Sequence, residues 1–358
     1  MISIASSMTV RRIAAICLCL VSGGNAVAAE TKPATPLFAS DDAIRITIKG
    51  PLIEIVRKKA RTTDTFPAVM TLEGDAPETF PIELSARGNF RRIGPACQFP
   101  PLRVSLAEKP GKASLFHRQN RLKLVTHCRN NDAYQQYVLK EYAAYRLFNR
   151  ITEASFRVRL ADVSYVDDEK GEEIARRMGF FIEDVDDLAS RMGMAEVERP
   201  KIGKSQLSVE HTVRAIVFQY LIGNLDWSVL SGPEGEDCCH NTKMMAINAD
   251  ADAGIIPLPY DFDHAGLVNA PYAKPPPVTK VRSVRQRQYR GFCEHNDALG
   301  SIAGEFVAAR GELLGVIDDT PGLDEKTKER SKEYLVEFFD VVADERSFDR
   351  KLVRDCRD

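Results

Sequence analysis

Gly223-Asn224-Leu225-Asp226-Trp227, then His240-Asn241, then Pro259-Tyr260-Asp261-Phe262-Asp263: the stretch 223–266 sets carboxylates and amides among apolar residues. A carboxylate in apolar surroundings loses hydration and needs a cation, a donor or a metal to stay ionised. Just upstream, Val213, Ile216, Val217, Tyr220 and Leu221 recur at i, i+3, i+4, i+7 and i+8, which predicts a core helix ending at Gly223. Asn224 and Asp226 then lie on the loop that follows it. The apolar runs 243–247 and 255–258 read as two short strands, with Asn241 before the first and Asp261 after the second. In extended chain Asp263 points the same way as Asp261. Loops held at strand ends by a rigid scaffold are where ligand chemistry concentrates.

N-terminal to this stretch the pattern changes. Runs at 44–48, 68–72, 80–85 and 102–106 alternate, as in Ile44, Ile46, Ile48 and Ile82, Leu84, and predict half-buried antiparallel strands. Between them Arg87-Gly88-Asn89-Phe90-Arg91-Arg92 reads either as a phosphate-binding loop, glycine admitting the backbone and arginine matching phosphate, or as a solvated turn. The run 121–125 alternates with Lys123 inside it, and a helix begins near Ala133 with Val138, Tyr142, Tyr145 and Phe148 on its apolar face. Glu141 falls on that face, where an acid needs a cation: Lys123 on the adjoining strand is the expected partner, unless Lys123 extends to solvent and Glu141 reaches Arg146 or a backbone donor. Strands at 156–166 and 178–182, the latter ending in Glu183-Asp184, and a helix at 185–192 complete an α+β lobe. After it, residues 301–314 and 325–343 read as helices. Before them the irregular segment 264–293 carries Lys274, Lys280, Arg282, Arg285, Arg287 and Arg290, with no acid among these, a landing strip for an acidic partner or a solvated charge run.

With 358 residues, 44% hydrophobic and 28% charged, and a net charge of -2, the chain has ordinary globular usage and no global basic surface for nucleic acid. Arg11 and Arg12, the apolar run 13–21 and Ala26-Val27-Ala28 have the three parts of a secretory signal, and the run is too short to span a bilayer. Export to a periplasm or the exterior is therefore expected, with residues 1–28 removed and 29–42, rich in Pro, Ala and Thr, an unstructured leader. Six cysteines remain after cleavage and are expected to pair in an oxidising compartment: Cys97 with Cys128, and Cys293 with Cys238 or Cys239. Cys238, Cys239 and His240 lack the spaced pairs of a structural zinc site.

A cation on phosphates, an amide and a carboxylate for a metal, and a carboxylate near the attacking hydroxyl are what phosphoryl transfer asks of a protein. The chain resembles the CotH-type secreted kinases and, more loosely, HipA-type and other atypical kinases. The resemblance rests on Arg87-Gly88-Asn89, the strand with Lys123, the helix with Glu141, the edge from Gly179 to Asp184, and Gly223-Asn224-Leu225-Asp226 through Asn241 to Asp261-Phe262-Asp263. It implies a two-lobed protein-kinase-like α+β fold, with an antiparallel-sheet N-lobe over 43–192 and a mostly helical C-lobe over 193–358. It implies ATP with Mg or Mn and transfer of the γ-phosphoryl group to a protein hydroxyl. Asp226 would be the base, Lys123 the phosphate-pairing lysine and Glu141 its helix partner. Arg87 and Glu183 would face the nucleotide, and Asn241 and Asp261, or Asp263, the metal. His-Arg-Asp and the glycine-rich loop of typical kinases are missing, and an insertion with Cys238 and Cys239 separates Asp226 from Asn241. The competing readings are an inactive kinase-like scaffold of the cell envelope and a nucleotidyl transferase on the same cleft.

Overall fold

The computed structural model describes residues 31–358, so the expected signal sequence at 1–28 lies outside the described residues. Seven strands form one closed barrel, in the order β1-β2-β3-β4-β5-β7-β6. They are β1 (Ile44–Gly50), β2 (Phe66–Leu72), β3 (Glu78–Ala86), β4 (Leu102–Leu106), β5 (Arg121–Val125), β6 (Val158–Asp167) and β7 (Glu172–Ile182). Two short helices interrupt them, α1 (Leu52–Lys58) after β1 and α2 (Phe90–Ile93) after β3.

Alternation fills the barrel. Ile46, Met70, Leu84, Leu102, Leu122, Leu124 and Phe181, from six strands, are buried together inside it. The neighbouring strands pair antiparallel except at the seam, where β1 runs parallel to β6 with Ile44 opposite Ala161 and Gly50 opposite Asp167. This corrects the expected fold class: the first unit is a closed mixed barrel, not the antiparallel-sheet N-lobe of a two-lobed kinase-like fold. Period-2 patterning states which face a residue takes and is silent on which strand supplies the second ladder of β1. A parallel partner needs a long crossover, here everything between β1 and β6.

The segment expected to be an unstructured leader is packed against this barrel. Leu37 and Phe38 join its core, Arg159 donates to Leu37 O (3.3 Å) and Ser40 O (2.7 Å), and Asp41 pairs with Arg146. Two apolar side chains outweigh the compositional cue that Pro, Ala and Thr provide.

The remaining elements build a second core. They are α3 (Asp132–Ile151), α4 (Val185–Met192), α5 (Val209–Ile222), α6 (Asn296–Ala308), α7 (Arg310–Asp318), α8 (Glu325–Ala343) and α9 (Glu345–Phe348), with a small antiparallel sheet of β8 (Ala195–Glu196), β9 (Thr242–Ala246) and β10 (Ile256–Pro259). Helix α3 starts where the Asn131 side chain accepts from Tyr134 N (3.0 Å), and its apolar face is buried. Phe148 stacks on Phe218 of α5 at 4.4 Å, and Tyr145 meets Phe262 at 4.6 Å, so α3 is the element that fixes the β10 exit relative to the barrel. No helix among the described residues is long and apolar enough to cross a membrane.

Cys97 pairs with Cys128 as expected. The expected partner of Cys293 is corrected: Cys293 pairs with Cys356, and Cys238 pairs with its neighbour Cys239. A bridge between Phe292 and Arg357 brings the end of the chain alongside Cys293, a proximity that sequence spacing does not carry.

One buried histidine sets an acid limit on the barrel. His127 is 2% exposed, stacks on Phe99 at 4.5 Å, and burial, with Arg177 adding, lowers its pKa to about 4. The unfolded chain binds that proton first, near the ordinary value of about 6.5, so stability falls as pH drops from there toward 4. His127→Phe, which keeps the stack, is expected to remove on the order of 3 kcal/mol of that acid loss. Denaturant melts of both proteins at pH 7 and pH 4.5 check it, and parallel losses would refute it.

Candidate active site

A cleft of about 470 Å³ lies between the barrel and the second core. Its barrel wall is cationic. Lys123 on β5 stands opposite Arg103 on β4 in register, and Arg87 follows β3. All three line the cleft. Burial lowers the pKa of Lys123 to about 8, with Arg87 adding to the effect and Asp184 opposing it. Burial likewise lowers Arg103, with Arg121 and Arg87 adding. Crowded, partly dehydrated cations of this kind gain from an anion that enters among them. Sequence reading missed Arg103, although its alternation with Val104 marks it as facing away from the barrel core. The ammonium of Lys123 lies 5.6 Å from the Tyr260 ring centroid.

Of the three guanidinium groups expected in a single turn, only Arg87 keeps its place there. Arg92 is tied to Gly88 O and Lys59 O, each at 2.8 Å. Arg91, carried inward by α2, is 7% exposed and reaches Glu141 at 3.4 Å and Asp263 at 3.6 Å. The structure therefore gives Glu141 a different partner from the one expected: Arg91, not Lys123. A helix turn too short to show any periodicity hid this arginine. Burial raises the pKa of Glu141, which Arg91 only partly offsets, while Asp263 and Asp261 push it further up. Glu141 Oε1 is buried and has no hydrogen-bond partner among the described residues.

The opposite wall holds the stretch 223–266. Helix α5 ends at Gly223, whose φ of 64° and whose close approach to Tyr334 leave no room for a side chain: a Cβ there would sit 1.9 Å from Tyr334 Oη. Beyond it the loop is fastened by Asn224, which accepts from Asp226 N (3.1 Å) and, through its carbonyl, from Trp227 Nε1 (2.9 Å). Asp226 is thereby turned into the cleft, with His240 Nε2 2.9 Å from its Oδ1 and His264 Nδ1 3.9 Å from its Oδ2. Burial pushes the Asp226 carboxyl up, but His240, His264 and the amide of Asn241 outweigh it and hold it below the ordinary range. Asn241 Nδ2 donates to Asp226 O at 2.7 Å and to Oδ2 at 3.2 Å.

Asn241 and Asp261 share a feature that no pattern in the sequence announces. Both are non-glycine residues in the left-handed region, with φ of 49° and 61°. Strain of this kind, on the order of 1 kcal/mol or more each, persists where surrounding structure enforces it and gathers at functional sites. For Asp261 the enforcement is visible, since its N–H donates to Tyr145 Oη at 2.9 Å. Burial raises the pKa of Asp261 and Asp263 raises it further, with Arg91 and Arg87 opposing. Asp263 is buried and accepts from Tyr272 Oη at 3.1 Å.

Thus Arg87, Lys123, Asp226, Asn241, Asp261 and Asp263 line one cleft, with Glu141 behind it through Arg91. Glu183 does not. It is 1% exposed, accepts from Arg157 N (3.0 Å), and forms an ion pair with Arg191 at 3.0 Å. Two of the expected landing-strip arginines also turn inward. Arg287 donates to Tyr220 O and Leu221 O at the end of α5, and Arg290 donates to Leu225 O (2.6 Å) and Trp227 O (3.0 Å), clamping the Asp226 loop.

No protein-family model matches the chain, and no curated protein matches it. Among solved structures it is similar to the Helicobacter pylori proinflammatory kinase CtkA, with a TM-score of 0.41 and 14% identity, over 75% of this chain and 96% of that one. A likeness this slight says nothing of activity.

Among the described residues no group of three or more His, Cys, Asp or Glu side chains converges into a ready-made metal cage. A magnesium-type ion asks for less: one or two carboxylates, with phosphate oxygens and water completing its shell. Asp261 and Asp263, which repel each other in a partly dehydrated site, and the amide of Asn241 fit that demand.

Arg91 and Glu141 are expected to be energetically coupled. Arg91→Met strands a buried acid and is expected to cost on the order of 3 kcal/mol. Adding Glu141→Gln recovers at least half of it. Urea melts of the two single variants and the double variant measure the coupling, and strictly additive losses would show that none exists.

Proposed function

We propose that the protein is a phosphotransferase that moves the γ-phosphoryl group of ATP to a hydroxyl of a protein. The observation that carries this reading is the polarity of the cleft: Arg87, Arg103 and Lys123 on one wall, Asp226, Asn241, Asp261 and Asp263 on the other. Cations that have lost hydration take the triphosphate, and the carboxylates opposite repel it unless a divalent ion intervenes. Asn241 with Asp261, and Asp263 beside it, would hold Mg or Mn, which supplies charge neutralisation between phosphate oxygens.

In this reading Lys123 and Arg87 bind and orient the phosphates. The acceptor hydroxyl oxygen bonds to the γ-phosphorus as the bond to the β,γ-bridging oxygen breaks, the proton passes to Asp226, and ADP leaves. A loose transition state needs little help from a base, which suits a carboxylate held below the ordinary pKa range by His240. Asp226 thus acts mainly by orientation, with His240 and the Asn241 amide fixing its rotamer. The disulfides Cys97–Cys128 and Cys293–Cys356 support placing the protein outside the cytosol, in keeping with export.

The roles separate by experiment. ATP with Mn at millimolar concentration is expected to raise the melting temperature, because a ligand of the native state stabilises by mass action; no shift would sink the reading. Asp261→Ala abolishes the metal-dependent part of that shift. Asp226→Asn retains the shift and lowers transfer by about 10²-fold or more. Equal behaviour of the two variants would count against the assignment.

Lys123 gives the cleft a pH signature. Below pH 8 its ammonium is already charged, and above it an entering phosphate must restore the proton. Nucleotide affinity is expected to be flat up to about pH 8 and to fall by up to tenfold per unit above it, with proton uptake on binding. Calorimetry in buffers of different ionisation enthalpy measures the uptake. In Lys123→Met the decline disappears, and an unchanged decline would assign it elsewhere.

A further inference from the structure

Away from the cleft residues, a cavity of about 290 Å³ lies between α3, the segment before residue 290 and the first turns of α8. Four cationic side chains from three elements converge on it: Lys140 of α3, Arg285, and Lys326 with Arg330 of α8. Asp324 is its single acidic lining residue, and that carboxylate is occupied as the cap of α8, accepting from Thr327 N at 2.7 Å. Among the described residues Asp324 is thus the one acid that faces these like charges. On the same helix Lys328 pairs with Glu325 and Lys332 with Asp318, whereas Lys326 and Arg330 form no ion pair among the described residues.

Part of the wall is held by contacts within the protein. Gln136 donates to Gly322 O at 3.0 Å and accepts from Asp324 N at 3.0 Å, locking the turn ahead of α8 to α3. Lys140 lies over the Tyr137 ring at 4.9 Å and donates to Val268 O. Arg285 lies over Tyr334 at 4.8 Å. Burial lowers the pKa of Lys140 to about 8, with Arg285 and Arg330 adding to the effect. Four like charges brought to one small cavity favour an anion that enters among them.

We propose that this cavity is a second anion site, built for a phosphoryl group carried on a small or flexible molecule. The volume is at the small end for ligand pockets, with room for a phosphate and a few more atoms. Two guanidinium groups supply paired donors of the kind phosphate oxygens accept, and two ammonium groups supply point charge. The site shares no residue with the cleft, so the inference is independent of the phosphotransferase reading.

Calorimetric titration with inorganic phosphate tests it on the purified protein. Phosphate binding is expected in the wild type and in Lys123→Ala, and is expected to weaken at least tenfold in Lys326→Glu/Arg330→Glu. Both replaced side chains are exposed, and circular dichroism melts verify the fold. Arg330→Gln alone supplies a milder variant, expected to weaken binding several-fold. Binding lost in Lys123→Ala but kept in the charge-reversed variant would place the phosphate in the cleft and overturn the proposal, as would no binding heat in the wild type. A phosphoserine tetrapeptide beside its unphosphorylated form identifies the source. Binding at least tenfold tighter than inorganic phosphate supports a phosphorylated segment as the ligand, and equal or weaker binding supports a free phosphoanion.

Discussion

Two carboxylates, Glu141 and Asp263, are buried with Arg91, and the half-buried Asp261 of the cleft stands close enough to act on all three. Burial lowers the pKa of Arg91, Glu141 and the other acids around it raise it, and the acids prevail, so the charge stays. Much of the architecture serves this balance. Helix α2 exists to deliver Arg91, α3 brings Glu141 and the Tyr145 hydroxyl, and β10 ends where Asp261 is obliged to turn left-handed. Removing Arg91 leaves the buried acids without their cation, a cost much larger than that of an exposed ion pair.

The same contrast separates two kinds of basic residue that look alike in a sequence. Arg287 and Arg290 spend their donors on backbone carbonyls and hold α5 and the Asp226 loop in place. Arg87, Arg103 and Lys123 face a cavity instead. The segment 274–290 carries six cations and no acid, yet part of that charge is internal scaffolding.

How much was legible follows from which forces are local. The helix ending at Gly223, the strands flanking Asn241 and Asp261, the buried stripe of α3 and the Cys97–Cys128 pair could be read from spacing, because periodicity reports burial directly. The convergence of Arg87, Lys123, Asp226, Asn241 and Asp261 was legible as a chemical set. The pairing of Glu141 was not, since Arg91 lies fifty residues upstream in a single helical turn. Glu183 looked functional at a strand end, but its orientation was decided by Arg191, a residue of the following helix. The docking of Leu37 and Phe38, the Cys293–Cys356 pair and the parallel seam are long-range choices that leave no local imprint.

That seam has a kinetic corollary. Strand β1 obtains its second ladder only from β6, whose partner residues begin with Ala161. Until the chain has been made and gathered that far, Ile44, Ile46 and Ile48 present an apolar strand with one edge open, the kind of surface that recruits other chains. Closing such a distant pair costs loop entropy before any contact returns it, and non-local pairing of this sort slows folding. The barrel that leaves no sheet edge in the finished protein therefore leaves its first strand waiting longest, and the early chain depends on whatever keeps that strand solvated or sheltered in the interval.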